Sequence, residues 1–227
     1  PRYKPPFPAL KGLFGCPTII NNVETLASVP KILDNGSNWF KSVGTEASPG
    51  FKCFSVSGHV NKPGNYEIPL GTSFETLLDL AGGMKNGKNL KAVIPGGSSV
   101  PVLPGDIMMK TNMDYESIAN AGSLLGSGAV IVMDETTNMV EVIHRIARFY
   151  YSESCGQCTP CREGTGWMYK VIDKIIKGHG TLDDIKTLES IPKMISGSTI
   201  CALGDAAAMP VESFINHYRH EFLSYIK

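Results

Sequence analysis

Three cysteines fall within seven residues of this chain, in the run SCGQCTPCREGTG over 154–166. A C-x2-C-x2-C loop leaves few options for thiols so close together. A disulfide scaffold fits poorly, because six cysteines in 227 residues is a low content, the chain is not small, and no secretion signal is visible. Structural zinc sites take their ligands as two separated pairs, so a triad is atypical for zinc. An iron–sulfur cluster has iron at alternate corners of a cube, and one tight loop reaches three of those irons while a fourth ligand comes from elsewhere. The spacing therefore favours iron–sulfur over zinc.

The remaining cysteines are Cys16, Cys53 and Cys201. Bacterial ferredoxins follow a ligand with proline, and Cys16-Pro17 imitates that. Cys201, within Thr199-Ile200-Cys201-Ala202-Leu203-Gly204, shares the helical region of the triad, and the intervening helices can form a hairpin that returns the chain to the cluster. Cys16 is separated from the triad by a strand-rich module. Cys201 is accordingly the expected fourth ligand beside Cys155, Cys158 and Cys161. Cys53 lies in a strand-like run and reads as a buried core thiol. Thr159-Pro160 reads as a helix cap followed by proline at the first helical position. That places Cys161 in the first turn, where the positive end of the helix dipole favours a thiolate. Arg162 adds a positive charge there or is a solvated surface residue.

The pattern along the chain predicts an α+β, multidomain architecture. Residues 1–20 hold five of the fifteen prolines and begin without methionine, which reads as a linker cut from a longer protein. Asn21 with Glu24 three residues on is a capping-box variant, so a helix is expected to start there and stop near Pro30 or run on to Leu33. Short strands are expected over 52–60, 65–69, 92–95 and 129–133, around one helix over 73–81 capped by Ser73 and closed by Gly82-Gly83. From Thr136 the chain reads as helical. Val140, Ile143, Ala147 and Tyr150 form one apolar stripe, Met168, Ile172, Ile175 and Ile176 a second, and Leu182, Ile185 and Leu188 a third. A last helix runs to about 226, with Pro210 disturbing its first turns. Four helices suggest a four-helix bundle.

Several function classes are disfavoured. Lysine plus arginine (21) balances aspartate plus glutamate (21), so charge offers no reason to expect nucleic acid or an anionic membrane. No apolar run approaches the ~20 residues of a membrane-spanning helix, and any membrane association is expected through a partner. The glycine-rich stretch 122–128 lacks the Gly-Lys-Ser/Thr ending of a phosphate-binding loop and reads as loop packing. Residues 95–99 read as a turn, and His217 and His220 as surface residues. No serine–histidine or paired-carboxylate constellation stands out.

The motifs Glu153–Gly164, Thr199–Asp205, Gly15–Thr18, Asn21–Leu26 and Ala92–Ser99 together resemble the NADH-binding flavoprotein subunit of respiratory complex I (NADH-quinone oxidoreductase) over the whole chain. The resemblance implies an end of the flavin/NADH-binding domain plus linker at 1–49. A small ubiquitin-like β-grasp (SLBB, soluble-ligand-binding β-grasp) domain is implied at 50–133, and a helical [4Fe–4S] domain at 134–227. It implies hydride transfer from NADH to FMN and one-electron steps through the cluster in the longer protein. The glycine-rich FMN/NADH loop is absent here, so this chain alone is expected to be inactive. Asn21, Asn22 and Thr25 match a segment at the edge of the FMN site. The implied partners are the 24-kDa-type [2Fe–2S] subunit and the 75-kDa-type iron–sulfur subunit. The implied location is the cytoplasmic face of the inner membrane, or the matrix side in a mitochondrion. The diaphorase subunit of an NAD-linked hydrogenase or formate dehydrogenase shares the same modules. A non-enzymatic zinc-binding or docking module is the alternative from another class.

Overall fold

The computed structural model describes residues 5–226, so Lys227 and the first four residues of the proline-rich start lie outside the described residues. The first long helix, α1 (Val23–Asn35), is capped one residue later than expected: Asn22 Oδ1 accepts from the Thr25 amide at 3.0 Å. Glu24 does not complete a capping box. Its carboxylate accepts from Lys52 Nζ and from the Cys53 amide, each at 2.7 Å, and so fastens α1 to the sheet. Pro30 is exposed and lies inside α1, which runs past it to Asn35. A short helix, α2 (Ser37–Lys41), follows.

The strands begin with β1 (Phe51–Gly58) and β2 (Gly64–Pro69), an antiparallel pair. Next come α3 (Phe74–Leu80), β3 (Leu90–Ile94), β4 (Leu103–Pro104), α4 (Gly105–Met108), α5 (Tyr115–Asn120) and β5 (Ala129–Asp134). Ser73 caps α3 as expected, its Oγ accepting from the Thr76 amide at 3.1 Å, and Gly82 and Gly83 follow the helix at φ 77° and 73°. Among the described residues the sheet order is β2-β1-β5-β3-β4, with β1 and β5 parallel and the other pairs antiparallel. The two glycine-rich stretches close on each other: a Cβ on Gly126, at φ 51°, would lie 2.3 Å from the Gly96 carbonyl oxygen. Loop packing is what they do.

Alternation along the strands divides the apolar residues between two cores. Phe54 and Val56 of β1, Val93 of β3, and Val130 and Val132 of β5 pack with Phe74 and Leu77 of α3. Ala92, Ile94 and Met133 point the other way, into the helices. The same alternation corrects the expectation for Cys53. It sits between Lys52 and Phe54, which face inward, so it is exposed rather than buried.

The helical part consists of α6 (Met139–Glu153), α7 (Thr159–Lys174), α8 (Leu182–Ile195) and α9 (Leu203–Ser224). A π turn, Ile175–His179, extends α7. All of the first stripe (Val140, Ile143, Ala147, Tyr150) is buried, as are Met168, Ile172, Ile175, Ile185 and Leu188. Leu182 departs from the third stripe and is exposed, because it occupies the first turn, ahead of the point where α8 meets its neighbours. Pro210 sits inside α9 without ending it. Burial of Ala207, Ala208, Val211 and Phe214 on both sides of the proline holds the helix through a local cost of about 3 kcal/mol. Helix α6 packs on α7 and α9, and α8 on α7 and α9.

Strands and helices are joined by polar contacts as well as by core. The Val102 amide donates to Ser213 Oγ at 3.0 Å, and that hydroxyl donates to the Pro210 carbonyl at 2.9 Å. Tyr218 OH donates to the Lys91 carbonyl at 3.2 Å, and Lys91 pairs with Glu221 at 2.7 Å. Ser213→Ala orphans the buried Val102 amide. We expect a loss of about 1–3 kcal/mol in a denaturant melt at unchanged m-value.

Candidate metal centre

Helix α6 stops at Glu153, and Ser154 caps its end, its amide donating to the Tyr150 carbonyl at 3.1 Å. Gly156 turns the chain at φ 79°. The N-cap of α7 is Cys158 itself rather than Thr159, since Thr159 already has helical geometry, and Pro160 lies in the first turn as expected. Arg162 reaches back to donate to the Gly156 carbonyl at 2.9 Å and also pairs with Glu163 at 2.9 Å. The guanidinium is half-exposed, yet it braces the loop that carries Cys155 and Cys158.

Cys201 arrives on the loop between α8 and α9. That loop is pinned at one end by the Gly197 amide, which donates to Asp205 Oδ1 at 2.8 Å, and Thr199 Oγ1 donates to the Cys201 carbonyl at 2.8 Å. The two loops meet where the Ile200 amide donates to Cys158 Sγ at 3.3 Å, across 42 residues of chain. The return depends on close helix packing: a Cβ on Gly164 of α7 would lie 2.6 Å from Ile195 Cδ1 of α8.

Cys155, Cys158, Cys161 and Cys201 all line one cavity of about 210 Å³, together with Ser154, Ile200 and Leu203. This volume is more than ten times the ~10–15 Å³ that admits one water. No three His, Cys, Asp or Glu side chains among the described residues converge on the position of a single ion. With four thiols in its lining, a cavity of this size has room for a polyatomic group. Cys161 is buried and the other three are half-buried. Burial pushes the Cys161 thiol up, and the neighbouring Cys201, Cys155 and Cys158 push the same way against the hydrogen bond with Ser154. Cys161 does sit in the first turn of α7, as expected. Four crowded thiols of this kind ionise together only around a positive centre, which fits metal ligation.

Cys16 and Cys53 are exposed and do not line this cavity. Asn21, Asn22 and Thr25 are also exposed and apart from it, and Thr25 spends its amide on the Asn22 cap. Sequence reasoning missed Ser154, whose Oγ lies 3.2 Å from Cys161 Sγ, and the Ile200 amide. Neither carries a spacing signal, since one is a cap and the other a backbone group.

Comparison with known proteins agrees with this geometry. Residues 141–225 match the NADH-ubiquinone oxidoreductase-F iron-sulfur binding region, and residues 52–132 match the SLBB domain. The whole chain is 53% identical to 54% of the F subunit of NADH-quinone oxidoreductase of Rickettsia rickettsii. It is 52% identical to 51% of the protein of that name from Mycobacterium tuberculosis. The chain thus spans about half the length of the curated relatives it matches. Among solved structures, an NAD+-reducing [NiFe]-hydrogenase in the H2-reduced state superposes on all of this chain and 38% of its own, with a TM-score of 0.88 at 35% identity.

A Cβ on Gly204, in the first turn of α9, would lie 2.5 Å from Thr199 Oγ1 and displace the hydroxyl that holds Cys201. Gly204→Ala is expected to raise the alkylation rate of Cys201 severalfold and lower the melting temperature. An unchanged rate in a peptide-mapped alkylation assay contradicts this reading of the loop.

Proposed function

From its similarity over the whole chain to F subunits of NADH-quinone oxidoreductase, we propose that this chain belongs to that family and is the cluster-bearing half of an NADH-linked electron-transfer subunit. Its parts are then the end of a flavin domain with linker at 1–49, an SLBB domain at 50–133, and a cluster domain at 134–227. The sheet order β2-β1-β5-β3-β4 with α3 across one face supports a β-grasp fold for the second part. The mutual packing of α6, α7, α8 and α9 supports a four-helix bundle for the third.

The observation that carries the reading is the single cavity that gathers thiols from two loops joined by the Ile200 amide. Cys155, Cys158, Cys161 and Cys201 would hold a [4Fe–4S] cluster there. When bound, the cluster supplies one-electron oxidation and reduction, which matches a two-electron donor such as NADH-reduced FMN to single-electron acceptors. The chain's own residues do the rest. Half-buried Leu203 lines the cavity beside the thiols and limits water there, and Arg162 keeps the triad loop in shape.

The SLBB sheet carries no chemical constellation, and a docking or spacer role toward neighbouring proteins of the complex fits it best. A 24-kDa-type [2Fe–2S] subunit and a 75-kDa-type iron–sulfur subunit are the partners this family position implies. No helix among the described residues is long and apolar enough to cross a membrane. The attachment proposed, at the cytoplasmic face of the inner membrane or the matrix side in a mitochondrion, is through those subunits. Asn21, Asn22 and Thr25 supply an edge of the FMN site in the longer protein. The superposition on the NAD+-reducing hydrogenase favours, as second reading, the equivalent subunit of such an enzyme, with the same residues in the same roles.

Serine substitution at Cys155, Cys158, Cys161 or Cys201 is expected to cut the iron content of anaerobically purified protein. Cys16→Ser and Cys53→Ser are expected to keep it, and full iron in Cys201→Ser contradicts the assignment. The 227-residue chain alone is expected to bind negligible FMN. It offers only a remnant of the contacts, and several lost hydrogen bonds to a charged ligand at about 1.5–3 kcal/mol each weaken binding by orders of magnitude. Stoichiometric yellow flavin on the pure chain, or ferricyanide reduction by NADH, is the contrary result.

A further inference from the structure

We infer that the Ser154 hydroxyl is a positioning donor that sets the reduction potential of the cluster through Cys161. The inference rests on the cluster assignment proposed above. Ser154 Oγ lies 3.2 Å from Cys161 Sγ. Among the described residues it is the one side-chain group hydrogen-bonded to any of the four cavity thiols, the other bond to them coming from the Ile200 amide.

The direction of the bond follows from its surroundings. The Gly156 amide donates to Ser154 Oγ at 3.4 Å, which leaves the hydroxyl hydrogen free to be given to the sulfur. A sulfur that binds iron has lost its proton and can only accept. The sequence amide, hydroxyl, sulfur is therefore polarised in one sense, each bond strengthening the next.

The hydroxyl is also held in place. Ser154 ends α6 with its own amide on the Tyr150 carbonyl, and Arg162 holds the Gly156 carbonyl at 2.9 Å, so both ends of the Ser154–Gly156 segment are tied. Cys161 is buried, where a hydrogen bond to a sulfur is less screened than at the surface. Adding an electron makes the cluster and its thiolates more negative. A donor aimed at a ligand sulfur stabilises that state more than the oxidised one and raises the potential.

The test uses the 227-residue chain with its cluster loaded anaerobically, comparing wild type, Ser154→Ala and Ser154→Thr. Iron and sulfide are quantified first, and each sample is then titrated against redox dyes with the reduced cluster read by EPR. The expected result is full iron in all three. At the wild-type midpoint, Ser154→Ala should show a reduced-to-oxidised ratio about tenfold lower, 59 mV for one electron. Ser154→Thr, which keeps the hydroxyl, should titrate with wild type. A fully loaded Ser154→Ala with an unmoved midpoint overturns the inference. Loss of iron from Ser154→Ala with Ser154→Thr intact also overturns it, because the hydroxyl would then serve assembly rather than potential. Failure of the wild type to hold iron counts instead against the cluster assignment.

Discussion

Holding four sulfurs in one small cavity, when the third and the fourth are forty residues apart in the chain, is the constraint on which the helical part depends. The triad fits one turn of loop and the first turn of α7, but Cys201 must be carried back by a second helix. That return needs α8 packed closely on α7, and the Ile195 side chain lying against Gly164 provides it. Glycine at Gly204 does the same for the loop that turns into α9, and Thr199 converts that closeness into a fixed Cys201 carbonyl. The metal chemistry is thus prepared by absent side chains as much as by the cysteines.

Electrostatics places a second demand on the same region. Burial and the neighbouring Cys201, Cys155 and Cys158 oppose ionisation of Cys161, against the hydrogen bond with Ser154. Neutral thiols and a bound cluster are alternatives, and the surrounding donors bias between them. The Ile200 amide and Ser154 sit on the two loops, and the Arg162 brace in the first turn of α7, rather than in the helix interiors, where backbone donors are already used.

Much of this was legible in the sequence. The triad spacing, the placing of Cys201 in the same helical region, and the stripes of α6 and α7 all follow from short-range periodicity, and the structure places them as expected. The failures share a cause: they turn on what lies across from a residue. Cys53 looked apolar by type, yet strand register assigned its face. Asn21 and Glu24 matched a capping box, but Glu24 finds Lys52 and the Cys53 amide, so Asn22 takes the cap. Pro210 reads locally as a break, and only the core around it explains its tolerance. Ser154 had no pattern at all, because a helix-end serine becomes a sulfur donor only through the way the next helix starts.

The division of neighbouring residues between two cores bears on how the molecule moves. Val93 belongs to the core with α3 and Ile94 to the core with the helices, one residue apart on β3. A slip of that strand by a single residue would drive each into the wrong core, so the strand has one stable seating. The sheet consequently behaves as a stiff plate clamped from both sides. The register that separates the two cores is thus also what presents Ala92, Ile94 and Met133 to the helices.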